Sequence, residues 1–201
     1  CHTEHKISVE DIEYIFSSHY NETPYEPFSC GNDDTKYLYR PIPMNRTQNS
    51  HVLQIRNDVA SDRSAIMWLC FGVPAFSPYV PFFANATDTD PTYSQTPVHC
   101  DDDSAYWMYR KLSVLVEAHY SELVQDDVDF LTDSKEKLRR HVQSILNESK
   151  GLKGDDLTNY LTEGNHQAVK MMRLATEHFN HELFEKSLGL SKLTFNMDKN
   201  L

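Results

Sequence analysis

The order of apolar and polar positions divides the chain into three stretches. In the first, Val9, Ile12, Ile15, Phe16 and Tyr20 recur at helical spacing and predict a helix from Ser8 to Tyr20 with one apolar stripe. Ser8 precedes the stripe and Asp11 follows it by three residues, a variant of the capping box. Asn21 to Asp34, with two prolines, a glycine and several acids, predicts a loop. In the second stretch, Ser50 to Arg56 alternates in part through Val52, Leu53 and Ile55 and predicts a strand. Asn57 to Arg63 is a polar turn. Ala65 to Phe71 reads AIMWLCF, a continuous apolar run that suits a strand covered on both faces. Gly72 to Pro81 mixes three prolines with aromatics as a structured rim, and VPFF follows as a short strand. A two-stranded hairpin alone is marginal in water, so such strands imply further strands and a covering layer. The third stretch, beyond a loop from Asp88 to Asp103, is helical. Helices are predicted over Tyr106–Val124, Asp126–Ser149 and Asp155–Ser187, the second ended by Lys150-Gly151. The third carries Leu157, Tyr160, Leu161, Gly164, Ala168, Met171, Ala175 and Phe179 at helical spacing.

Composition narrows this α+β reading. Hydrophobic residues make up 39% of the 201, which predicts a modest core that leans on a partner surface. The net charge of −11 disfavours nucleic acid, whose binding needs Lys and Arg against phosphates, and disfavours an anionic membrane surface. No apolar run reaches the roughly 18 residues of a membrane span. Among the four cysteines no metal-type spacing occurs. Cys70 reads as a small buried hydrophobe, and Cys30 and Cys100 lie in polar loops where an oxidising compartment would allow a disulfide. The run Asp101, Asp102, Asp103 reads as a solvated helix N-terminus. His178 and His181, flanked by Glu177 and Glu182, read as surface histidines rather than metal ligands. Sequons stand at Asn21, Asn45, Asn85 and Asn147; Asn147, at a helix end, is the best glycan candidate, and a glycan would imply a secretory route.

The segments ISVEDIEYIFSSHYNETPYEP, YRPIPMNRTQNSHVLQIRN and MWLCFGVPAFSPYVPFFANATDT, and more weakly AYWMYRKLSVL, resemble the C-terminal half of the C69 dipeptidases, the PepD-like N-terminal-nucleophile hydrolases. The resemblance implies an αββα sandwich. Residues 1–100 would be the C-terminal part of the hydrolase domain, and residues 101–201 a helical region packed on it. It also implies a peptidase with an N-terminal Cys nucleophile, an α-amino general base, and no metal or organic cofactor. An α-amino group near pKa 7.7–8.0 and a thiol near 8.5 suit neutral chemistry.

Cys1 is a catalytic candidate by position only. The family's nucleophile opens a strand that begins CTT, followed by aliphatics and Gly, whereas Cys1 is followed by HTEHKISVED and then a helix. The nucleophile is therefore expected in a separate N-terminal chain of the same precursor or a missing N-terminal segment, after cleavage before Cys1. Candidates for orienting a substrate terminus are Arg46, Asn49 and His51 at the mouth of the first strand, with Asn85 and Asp88 after the rim; the alternative is that they pin loops to the sheet. Expected partners are that N-terminal chain, a dipeptide or small peptide, and further copies in a homo-oligomer. The expected location is secreted or lysosomal by a secretory route, otherwise cytoplasmic. The competing function is a non-catalytic binding or structural component on the same fold. A self-contained helical interaction module is disfavoured, because it would leave AIMWLCF unpaired.

Overall fold

The structure is a computed structural model and describes residues 6–28 and 30–190. A three-stranded antiparallel sheet is built from β1 (Asn49–Ile55), β2 (Ala65–Phe71) and β3 (Val80–Phe83), in the order β1-β2-β3. Helices are α1 (Val9–Ser17), the short α2 (Pro91–Ser94), α3 (Ala105–Ala118), α4 (Tyr120–Glu148) and α5 (Gly154–Gly189). The strands lie where the apolar pattern puts them, and α1 begins where it does. The Ser8 hydroxyl accepts from the Asp11 N–H at 3.1 Å, and the Ser8 N–H donates to the Asp11 carboxylate at 2.8 Å, completing the capping box.

Three boundaries differ from the sequence pattern. Helix α1 stops at Ser17, where the Ser17 hydroxyl donates to the Pro74 carbonyl at 2.7 Å and Tyr20 takes a positive φ of 65°. Its inward stripe is Val9, Ile12 and Phe16. At about 100° of rotation per residue, Ile15 falls to the side of that stripe and is exposed, while Glu13 is turned inward and buried. Within the loop before α3, Asp90 caps a turn of helix with Pro91 at its first position. The chain also breaks at His119 rather than near Val124, so α4 begins six residues earlier than the pattern suggests.

The loop after α1 is held by the buried His19 and Glu26 and the half-buried Tyr120. His19 Nε2 and the Tyr120 hydroxyl are 3.0 Å apart, the same hydroxyl donates to Glu26 at 3.0 Å, and Phe28 stacks on Tyr120 at 4.6 Å. Arg63, also buried, ends the β1–β2 turn. Its guanidinium donates to the Ser149 and Leu152 carbonyls at the C-terminus of α4, where helix carbonyls lack intrahelical partners. Helices α4 and α5 meet closely at Gly164: a Cβ there would lie 2.9 Å from Ile145. One hydrophobic cluster joins strand residues such as Ile66 and Trp68 to helix residues such as Tyr109, Leu146 and Leu161.

Candidate functional site

Strand alternation gives the sheet two unlike faces. Ile66, Trp68 and Cys70 of β2, with Val52 of β1, turn toward the helical layer and are all buried. The opposite face carries His51, Leu53 and Ile55, paired across the ladder with Leu69, Met67 and Ala65. AIMWLCF is therefore fully covered on one side only: its outward residues are half-buried. At the rim end, Tyr93 covers the outer face, with ring centroids 5.3 Å from both Phe71 and Phe82. At the other end Leu53 is 70% and Ile55 66% exposed. Leu53, Met67, Leu69 and Phe82 floor an open depression of about 390 Å³ with Asp88 at its margin.

The loop beside this depression is stapled to α5. Thr158 donates to Asn85 at 3.1 Å, the Thr87 N–H donates to Thr162 at 3.0 Å, and His166 Nε2 lies 2.7 Å from the Asp88 carboxylate. His166 Nδ1 is 3.8 Å from Asp90, so the imidazole sits between two carboxylates. Asn165 reaches β3 itself, accepting from the Phe83 N–H at 2.8 Å and donating to the Phe83 carbonyl at 3.1 Å.

The residues singled out in the sequence separate into two groups. Arg46 lies exposed in the turn leading into β1, and Asn49 and His51 are exposed on the strand at its rim end, where Asn49 pairs with Phe71. Asn85 stands apart, because its amide is spent on the Asp62 carbonyl and on Thr158. Cys1 lies outside the described residues. Cys70 is unsuited to attack: burial pushes its thiol well above the usual range, and the thiolate is the nucleophile. Cys100 carries a free thiol, so the bridge to Cys30 considered from the sequence is not formed. Among the glycan candidates, Asn147 is exposed but its side-chain oxygen accepts from Lys150 at 3.0 Å, Asn21 accepts from the His19 N–H, and the Asn45 carbonyl accepts from Arg110.

Asp102 and Asp103 precede α3 and pair with Lys111 and Arg173. Both His178 and Glu182 are largely exposed, 3.6 Å apart. Among the described residues no group of three His, Cys, Asp or Glu side chains is placed to hold a metal ion, and no helix is long and apolar enough to cross a membrane.

Sequence reasoning passed over Asn165, His166 and Glu13. Asn165 had a readable signal, a polar residue inside the apolar stripe of α5 between Leu161 and Ala168. Glu13 had one too, on the face of α1 that carries Ile12 and Phe16. It is 4% exposed, lies 3.6 Å from Lys135, and helps line a small chamber of about 50 Å³ with Trp68, Ser77 and Tyr79. Burial raises its pKa to about 7, against the opposing pull of Lys135.

Comparison with known proteins gives this geometry a setting. The model of peptidase family C69 matches residues 1–133. A protein named "probable dipeptidase" from Latilactobacillus sakei is 42% identical over 200 residues, which are 98% of this chain and 41% of that protein. "Probable dipeptidase B" of Lactococcus lactis subsp. lactis (strain IL1403) is 32% identical over 85% of this chain and 36% of its own length. "Dipeptidase A" of Lactobacillus helveticus is 28% identical over 98% of this chain and 42% of its own. The chain thus spans about two fifths of the length of these relatives. All three are bacterial, and the lysosomal expectation finds no support among them.

Proposed function

The chain belongs to peptidase family C69, and on that premise we propose that it is the C-terminal part of a cysteine-type dipeptidase whose nucleophile lies in the portion of the polypeptide that precedes these residues. One observation carries the reading: a chain matched to the family over residues 1–133 leaves one end of its sheet face apolar and uncovered. A second layer stacked there would complete an αββα sandwich.

The proposed chemistry is acyl transfer. The thiol of an N-terminal Cys gives its proton to the enzyme's own α-amino group, and the thiolate attacks the peptide carbonyl. Donors facing the oxyanion stabilise the tetrahedral intermediate. The leaving amine takes the proton, and water then hydrolyses the thioester to release the acid. This chain's contribution is positional. Arg46, Asn49 and His51, exposed at and before the start of β1, supply donors that suit a substrate carboxylate. Asn85 and its partners hold the adjoining loop to α5.

Dipeptide hydrolysis by the full-length protein, with its N-terminal Cys intact or replaced by Ala, tests the reading. Turnover that disappears in the Cys→Ala variant is expected. Dipeptide binding without turnover in the intact protein would overturn it in favour of a non-catalytic component. Arg46→Ala in the same protein is expected to raise KM roughly tenfold, the worth of one charge-assisted hydrogen bond. Unchanged kinetics with reduced stability would assign Arg46 to loop anchoring instead.

A further inference from the structure

The two edges of the sheet are finished differently, and the hydrogen-bond alternation shows how. Antiparallel ladders alternate, so every second residue directs its backbone groups away from its partner strand. The Ala84 N–H donates to the Ala65 carbonyl at 3.0 Å, which fixes the phase of the β2–β3 ladder. Pro81 and Phe83 therefore point their backbone groups outward. Pro81 has no N–H to offer. Both backbone groups of Phe83 are taken by the side-chain amide of Asn165, which is 4% exposed. The β3 edge is closed by a proline and by a buried amide that stands in for a neighbouring strand.

At β1 the same bookkeeping gives the opposite result. The Gly72 N–H donates to the Gln48 carbonyl and the Arg56 N–H to the Ser64 carbonyl, each at 2.9 Å, and these bonds mark the two ends of the β1–β2 ladder. Ser50, Val52 and Gln54 then face β2, while Asn49, His51, Leu53 and Ile55 face outward. All four are exposed, and among the described residues none of their N–H groups donates a hydrogen bond. An edge meant for water is normally guarded by Lys, Pro, a bulge or shortness. NSHVLQI has none of these over seven residues and presents Leu53 and Ile55 instead.

We propose that the outer edge of β1 is a strand-addition junction, and that its occupant is a β-strand from the remainder of the same polypeptide. The inference rests on the reading of the chain as part of a longer C69 protein. The relatives supply the material: the matched region is only 41% of the Latilactobacillus sakei protein. The sheet thus grows in one direction only, outward from β1. The added strand carries apolar side chains on the Leu53–Ile55 face, and its backbone groups complete the ladder.

Residue-resolved amide hydrogen exchange on the full-length protein is the test. Amides 51, 53 and 55 are expected to exchange as slowly as 52 and 54, at least ~100-fold slower than those of the exposed turn at 57–58. Protection confined to 52 and 54 would overturn the junction, including the case in which a helix merely covers the side chains. Protection of 51, 53 and 55 that vanishes on dilution to the monomer would assign the edge to a second copy, and would equally overturn the proposal. Dipeptide hydrolysis measured on the same preparation keeps the two readings apart. A protected edge without activity removes only the enzyme reading, and activity with an unprotected edge removes only the junction.

Discussion

The two faces of the sheet differ in completeness more than in composition. The inner face carries Val52, Ile66, Trp68 and Cys70, each 8% exposed or less, because the helical layer closes over it. The outer face is just as apolar, yet Leu53 and Ile55 remain two-thirds or more in solvent. Apolar side chains stabilise only in proportion to the area removed from water, so the same residue types act as core on one side and as unfilled contact on the other. Burial within a chain that covers two fifths of its relatives thus reports which layers that chain itself supplies.

The inner face should respond to substitution as a finished core does. Ile66→Ala, at 2% exposure, is expected to cost about 3–4 kcal/mol, through lost transfer energy plus a residual cavity. Urea unfolding of the full-length protein measures it, and a loss below about 1 kcal/mol would mean that the inner layer is loosely packed. Asn165→Leu comes next. It preserves volume but strips partners from the Phe83 N–H and carbonyl, and should cost about 2–3 kcal/mol. A neutral result would show that water or another group satisfies Phe83.

Glu13 introduces pH into the finished side. Its folded pKa of about 7 stands above the ordinary value of 4.5, so the native state holds this proton longer than the unfolded chain does. Glu13's contribution to stability is therefore fully present below about pH 4.5, is lost as pH rises to about 7, and stays lost above that. Glu13→Gln removes the effect. The variant should gain about 2 kcal/mol relative to wild type at pH 8 and little at pH 4. Unfolding midpoints of both proteins across this range decide it. Parallel curves would mean that Lys135, 3.6 Å away, fully compensates the buried carboxylate.

How much of this was legible in the sequence follows from how local each signal is. The capping box at Ser8 and Asp11 and the strand AIMWLCF were readable because neighbouring residues determine them. The long helices were readable from periodicity, but the break at His119 was not, since apolar spacing continues across it to Leu123. The contacts that shape the candidate site were hidden for another reason. Asn165 to Phe83 spans 82 positions, His166 to Asp88 spans 78, and nothing in either segment names its partner. The one-sidedness of β2 was hidden too, because an uninterrupted apolar run reads alike whether its second layer belongs to the same chain or to a more distant part of the polypeptide.

The smallest expected effect bears most directly on the outer face. Within this chain Leu53 and Leu174 are both exposed, at 70% and 58%, and on that basis alone alanine at either should change stability by no more than about 0.5 kcal/mol. Leu174 lies on a solvent-facing side of α5, whereas Leu53 lies on the open face beside Met67, with which it pairs across the ladder. If a second layer covers that face, Leu53→Ala in the full-length protein becomes a core truncation and should cost about 1–2 kcal/mol, while Leu174→Ala stays near zero. Equal, negligible losses at both positions would mean that the outer face meets water in the complete protein, and the contrast between the two faces would then be permanent rather than a consequence of the part of the polypeptide this chain represents.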